Sequence, residues 1–224
     1  MFKQMFNLIL RGGAEDEQSA RSLDTVLEIS DRHLNNFKAL IEPAPTSKPR
    51  TSFTSSLPKE QISMFNFTPR QRLKVLSKAV PLMVNMQSGA RMYDGKELPE
   101  KTEAPAEFFT ELEAMARQLG AQEVGYVKVP RNAIFQGKGI PCDYAVVFTV
   151  QMDKAPIDTA PSFECQLEVM EGYKNMAVIS KKVAQFIRRH GFAAYPGTAL
   201  GGITDYPHLA ELAGVGAIGY HGLL

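Results

Sequence analysis

Residues 164–190 carry one apolar stripe at helical period. Val169, Tyr173, Met176, Ser180, Val183 and Ile187 recur at steps of four and three, and Ile179 and Phe186 widen the same face. That pattern predicts one long amphipathic helix, with Gly191 as its stop. Lys174, Lys181, Lys182, Arg188 and Arg189 fall mostly off the stripe and read as its solvated face. Such a helix must bury its stripe against another layer, and the segments before it supply one. PAEFFTELEAMARQLG (105–120) predicts an amphipathic helix closed by Gly120, and EVGYVKV (123–129) alternates as a strand does. YAVVFTV (144–150) is a continuous apolar β-type run, which predicts a central strand covered on both faces. Helix, strand, strand and long helix in that order indicate an α/β or α+β fold.

The first half is less regular. Residues 16–41 predict a helix, from Leu23, Val26, Leu27, Ile29, Leu34, Phe37 and Leu40 at three- and four-residue steps. Residues 42–61 are rich in Pro, Ser and Thr with little apolar periodicity, and read as an extended linker or strap. Thr68 and Pro69 open a further helix as cap and first position, and Pro81 is expected to break or kink it. Residues 88–105 read as loop. The expected organisation is a helical and extended region, 1–104, followed by a core, 105–224.

Charge and cysteine content remove several classes of function. The formal net charge is +1 with both signs mixed along the chain, which argues against a broad nucleic-acid surface. The cysteines are Cys142 and Cys165. They do not space as a zinc or iron–sulfur site, which needs about four ligands, and no metal site is expected from them. Two reduced thiols fit a reducing cytoplasm. The start of the chain lacks a secretory pattern, and no apolar run reaches the ~18 residues of a membrane span. The expectation is a soluble cytoplasmic protein.

Gly214, Gly216 and Gly219 in AGVGAIGYHGLL spell G-x-G-x-x-G. A dinucleotide loop of that form follows a strand and opens a helix. Here YPHLAELA has helical spacing before it, and too few residues follow for the helix. Two readings of the glycines stay open. Gly214 caps a short helix over 206–213 while Gly216 and Gly219 take turn positions of positive φ. Alternatively, backbone without Cβ atoms lies close to a flat ligand, and GTALGG (197–202) just upstream adds to the same wall.

HLAELAGVGAIGYHGLL resembles the segment shared by cobalamin-dependent reductive dehalogenases and epoxyqueuosine reductases. AMARQLGAQEVGYVKV, DYAVVFTVQMD and GYKNMAVISKKVAQFIRRHGFAAYPG follow the order of that family, so residues 105–224 carry the resemblance. It implies a nitroreductase-like core, a mixed sheet flanked by helices, that holds a corrinoid. It also implies reductive chemistry fed by 4Fe–4S clusters that lie further along the family's chain. The cluster-binding cysteine runs have no counterpart here. The expectation is therefore an incomplete, corrinoid-binding portion of such an oxidoreductase, inactive alone. On the resemblance, Gly201, Gly202, His208, Gly214, Gly216, Gly219, Tyr220 and His221 are the candidate cobalamin-binding residues. The acidic donor of the epoxyqueuosine enzymes falls at Gly172, which cannot give a proton. Tyr173 is the remaining candidate donor; on residue chemistry alone it also reads as a core tyrosine. The expected partners are a small-molecule substrate and an electron donor such as a ferredoxin or the family's cluster domain, with a homodimer as an open option. Two rival functions are a non-enzymatic corrinoid carrier or interaction module and a flavin-dependent nitroreductase-like enzyme.

Overall fold

Chain order in the computed structural model, which describes residues 7, 9, 10, 16–56, 67–94 and 101–220, is α1 (Asp16–Leu34), α2 (Pro69–Ala90), α3 (Ala106–Gln118), β1 (Val124–Lys128), β2 (Tyr144–Phe148), α4 (Lys154–Ile157), α5 (Phe163–Arg189) and α6 (Tyr206–Leu212). Single 3-10 turns lie at Thr54–Ser56, Arg91–Tyr93 and Arg131–Ala133. This is an α+β arrangement: helices dominate, and the sheet among the described residues has two strands. No helix of the described residues is long and apolar enough to cross a membrane.

α5 is the long helix that its stripe predicts. It covers 27 residues, and the Ser162 side chain accepts a hydrogen bond from Cys165 N at its start. Its apolar face meets two partners. Toward its N-terminal half lies α2, which brings Val75, Ala79, Leu82, Met83 and Met86 against Ala177, Met170 and Tyr173. Toward its C-terminal half lies α3, where Phe108, Leu112 and Ala116 pack on Ile179 and Val183. α2 runs through Pro81 without stopping and continues to Ala90, where the sequence predicts loop. The missing N–H removes one rung of the ladder. Ala79, Leu82 and Met83 on either side are all buried in one core, which holds the helix together.

β1 and β2 pair antiparallel, with Tyr126 opposite Val146 and Lys128 opposite Tyr144. One face of the ladder, with Val124, Val146 and Phe148, packs on the α3–α5 cluster. The other face, with Val127, Ala145 and Val147, packs on Leu34, Tyr93, Ile134, Ile140 and Leu209. The apolar run of β2 is thus covered on both faces, as expected. It is not central, because β1 is its only strand neighbour among the described residues.

The described part of the Pro-rich segment is anchored along its length and is a strap, not a linker. Leu40 N and Ile41 N donate to Ile140 O, and Ala44 N donates to Arg131 O. The Ser47 hydroxyl also donates to Arg131 O at 3.0 Å. Gln136 N donates to Lys48 O. Further on, the Asp24 carboxylate accepts from Phe53 N, Thr54 N and the Thr54 hydroxyl. These bonds explain why α1 ends at Leu34 and not near residue 41: the following backbone pairs with the β-bridge at Ile140. Residues 57–61 lie outside the described residues. Hydrophobic clusters cross the expected boundary at 104, since Leu34 and Tyr93 share a core with Val129, Ile134 and Ile140.

Candidate functional site

The residues singled out by sequence fall on the loop 193–205, on α6 and on the segment 214–220. The loop has no regular structure of its own, so its carbonyls need partners from elsewhere. They find them on every side. The hydroxyl of Tyr93, a fully enclosed residue, donates to Pro196 O at 3.0 Å. Ser180 Oγ on α5 donates to Gly197 O at 2.8 Å. Phe135 N donates to Ile203 O, and Asp205 N to Ala133 O. Arg188 Nε donates to Ala194 O and its Nη2 to Met92 O, both at 2.7 Å. Its guanidinium lies 5.0 Å over the Tyr195 ring. Arg188 is therefore structural, and is not part of a solvated helix face as its position off the stripe suggests. Tyr93, Tyr195 and Phe37 stack at tilted angles beneath it.

Gly201 and Gly202 sit where the chain's own side chains come close. Gly201 has φ +63, and a Cβ there would stand 2.5 Å from Leu27 Cδ2. A Cβ on Gly202 would overlap the Tyr206 hydroxyl. The space that these glycines leave is filled by Leu27 and Tyr206. Thr198 closes the turn by donating to Gly201 O. Burial of the Tyr206 hydroxyl raises its pKa, against the opposing effect of its hydrogen bond to Thr198. The Arg50 guanidinium reaches Gly202 O at 3.5 Å while it grips Asp31 with two bonds of 2.8 and 2.7 Å. Lys138 adds a third contact to Asp31 at 2.9 Å. Burial pushes the Asp31 carboxyl up, but the hydrogen bonds and charges of Arg50 and Lys138 outweigh it and hold its pKa below the ordinary value.

The glycine cluster after α6 is different. Gly214 has φ +73 and nothing within 4 Å of a Cβ position. It closes α6 by donating its N–H to Glu211 O. Gly216 and Gly219 are exposed and are not among the glycines of positive φ. Their backbone conformation therefore does not call for glycine. Around them Ile218 is 39% exposed and Tyr220 fully so. His208, on α6, is half-buried. His221 lies outside the described residues. The segment is tied to the sheet at Gly125, where a Cβ would meet Val215 Cγ1 at 2.7 Å and Ala213 O at 2.9 Å. Sequence reasoning missed Gly125; its signal is a glycine in the interior of a strand pattern, which marks close backbone approach.

Tyr173 lies on the α2-facing side of α5, half-buried against the first core cluster, which Ala199 and Leu200 of the loop also join. Next to it, Glu171 is held between Lys78 at 2.8 Å and Lys174. Burial works against its charge, yet the two lysines lower its pKa overall. Gly172 is buried, with Met152 Cγ 3.3 Å from a Cβ position. A carboxylate at that place would have to displace Met152. Lys181 donates to Asn85 Oδ1 at 2.9 Å, beside a small cleft lined by Gly89, Ala177, Pro196 and Thr198. The cleft's enclosed volume is about 10 Å³, the space of roughly one water molecule. Cys142 is half-buried, and burial pushes its thiol up to about 11. Among the described residues no three His, Cys, Asp or Glu side chains converge to hold a metal ion. The Arg50, Tyr93 and Arg188 anchors carry no sequence pattern, because each holds a partner far along the chain: Gly202 O for Arg50, Pro196 O for Tyr93 and Met92 O for Arg188.

No family model matches the chain. It is similar to the tetrachloroethene reductive dehalogenase of Desulfitobacterium hafniense, with 37% identity over 79 residues, which is 35% of this chain and 14% of that protein. The tetrachloroethene reductive dehalogenase of Desulfitobacterium hafniense strain Y51 matches to the same extent. The matched stretch thus spans about one seventh of the length of these relatives. The likeness supports a reductive-dehalogenase-like, oxidoreductase-type relation over a limited part of the chain.

Proposed function

We propose that the chain is a corrinoid-binding portion of a reductive-dehalogenase-like oxidoreductase with a nitroreductase-like core, acting in the cytoplasm. The partial likeness to the tetrachloroethene enzymes carries the reading. The surface after α6 supports it. Gly216 and Gly219 are glycines that neither backbone conformation nor burial demands. Lacking Cβ atoms, they suit the approach of a wide, flat macrocycle, with Tyr220, fully exposed, and Ile218 offering apolar contact. Gly201 and Gly202, where Leu27 and Tyr206 lock the loop, fix the segment that leads into α6.

The described residues do not enclose a corrin; they offer one open wall for it. A corrinoid, when bound, supplies the redox chemistry, while the protein supplies position and electrostatics. This chain's part is to bind and orient. The carbonyls of the loop before α6, from Ala194 to Gly202, are held by Tyr93, Ser180, Arg188 and Arg50, so the support leading into the wall is fixed by the chain's own bonds. The chain's two cysteines are fewer than the four ligands of one cluster. Electrons would come from a cluster-bearing partner or region, and the chain alone would not turn over a substrate. Tyr173 is packed against the α2–α5 core, a cluster that Ala199 and Leu200 of the loop before α6 also join. The Tyr173 hydroxyl is the candidate proton donor of this reading.

Equilibrium dialysis against hydroxocobalamin tests the proposal. Retention of about one corrinoid per chain is expected, with no retention of riboflavin phosphate. Gly216→Val places a branched side chain on the exposed wall without conflict of φ. It should weaken retention at least tenfold and leave thermal unfolding unchanged. Retention of the flavin in place of the corrinoid, or equal corrinoid retention by the variant, contradicts the assignment.

A further inference from the structure

Both faces of the β1–β2 ladder are covered, yet no residue of β2 is buried. Tyr144 is 70% exposed, and the other four residues are half-buried. Among the described residues, what remains open is the outer edge of β2. Asp143 and Thr149, at its ends, exchange backbone bonds with the β1 side. Ala145 and Val147 share their parity and face Val127 and Gly125. Tyr144, Val146 and Phe148 therefore turn their N–H and C=O groups away from β1. These groups have no backbone partner among the described residues.

Sheet edges left open are usually guarded by charge, proline or a bulge. β1 is guarded in this way: Lys128 stands on its outer edge and Glu123 precedes it. β2 reads YAVVF and has no charge, proline or glycine. Among the described residues it is the unguarded edge of the sheet.

We propose that β2 pairs edge to edge with β2 of a second copy of this chain, antiparallel, about a two-fold axis at Val146. The register follows from the sequence. Val146 faces itself, Ala145 faces Val147, and Tyr144 faces Phe148 twice. Asp143 falls opposite Thr149, so no like charges meet across the pair. The exposed Tyr144 ring gains an aromatic neighbour, and six outward backbone groups on each copy gain partners. Two strands become four, which passes from marginal to independently stable sheet. Because the contact is two-fold and self-complementary, it closes at two copies. The pairing does not depend on the corrinoid reading, and its test contains no corrinoid, so each can fail alone.

Sedimentation of the full chain over a range of concentrations reads the outcome. The expected mass is twice 24.8 kDa. Val146→Pro removes one outward N–H and spares the bonds to β1. Tyr144→Lys changes only an exposed side chain, so it serves as the second variant should the proline disturb folding. Each should halve the mass, with circular dichroism unchanged for Tyr144→Lys. Lys128→Ala, on the other edge, should leave the dimer intact. A wild-type monomer at all concentrations would leave this edge to a strand of some other polypeptide and would overturn the proposal. So would species heavier than two copies, a dimer indifferent to both β2 variants, or a dimer lost with Lys128→Ala.

Discussion

Gly201 shows how one residue joins conformation to packing. Its φ of +63 lies where side chains are disfavoured, and Leu27 Cδ2 occupies the Cβ position. Gly201→Ala therefore meets backbone strain and a steric conflict together, and a loss of about 1–3 kcal/mol follows. Urea unfolding should show it as a lower midpoint at constant slope. Asp31 sets a second expectation, for pH. Its folded-state pKa lies below the ordinary carboxylate value because Arg50 and Lys138 hold the charge. The unfolded chain then binds the proton more readily, so stability rises with pH across the window between the two values. The contribution is complete above the ordinary carboxylate range, from about pH 5, and is lost as pH falls through the lowered value. Asp24 and Glu171, also lowered, act in the same direction. Melting temperature should hold steady from about pH 7 to 5 and drop below about pH 4, with a shallower drop in Asp31→Asn.

At the scale of elements, α2 is the helix whose start is most explicitly encoded. The Thr68 hydroxyl accepts from Gln71 N and Gln71 Oε1 accepts from Thr68 N, a reciprocal cap with Pro69 at the first position. Thr68→Ala should cost about 1 kcal/mol, and calorimetry should register it as a fall of a few degrees in melting temperature. The cap and the stripe of α5 were both legible in the sequence because each is local: a spacing, or a pair three residues apart. α3, β1 and β2 were legible for the same reason, within a residue or two at their ends. The continuity of α2 through Pro81 was not, because what preserves it is burial of Ala79, Leu82 and Met83 against α5. The choice between linker and strap was not legible either. Residues 42–56 lack apolar periodicity, and their order comes from Asp24, Arg131 and Ile140, all remote in sequence. The β2 run announced coverage on both faces but said nothing of how many neighbours it has, since an apolar strand reads alike at the centre and at an unguarded edge.

Across the whole molecule, the candidate site was partly legible. The glycines after α6 and the loop before it stand out by composition; Ile203 of the loop shares a core with Val127, Ala145 and Val147 of the sheet, and Val215 of the later segment closes on Gly125. Composition could not separate Gly201 and Gly202, filled by Leu27 and Tyr206, from Gly216 and Gly219, which face outward. Nor could it show that the loop is held by Tyr93, Ser180, Arg50 and Arg188 from four separate segments. The proposed function therefore narrows to one prepared surface, the backbone from Gly214 to Tyr220, carried by a loop and a helix already fixed in place. Hydrogen–deuterium exchange of the chain with and without hydroxocobalamin tests that most directly. Slowed exchange concentrated in residues 214–220, with α2 and the strap unchanged, is the result predicted. No change in that segment at saturating corrinoid, or protection centred on the cleft beside Lys181, would contradict it.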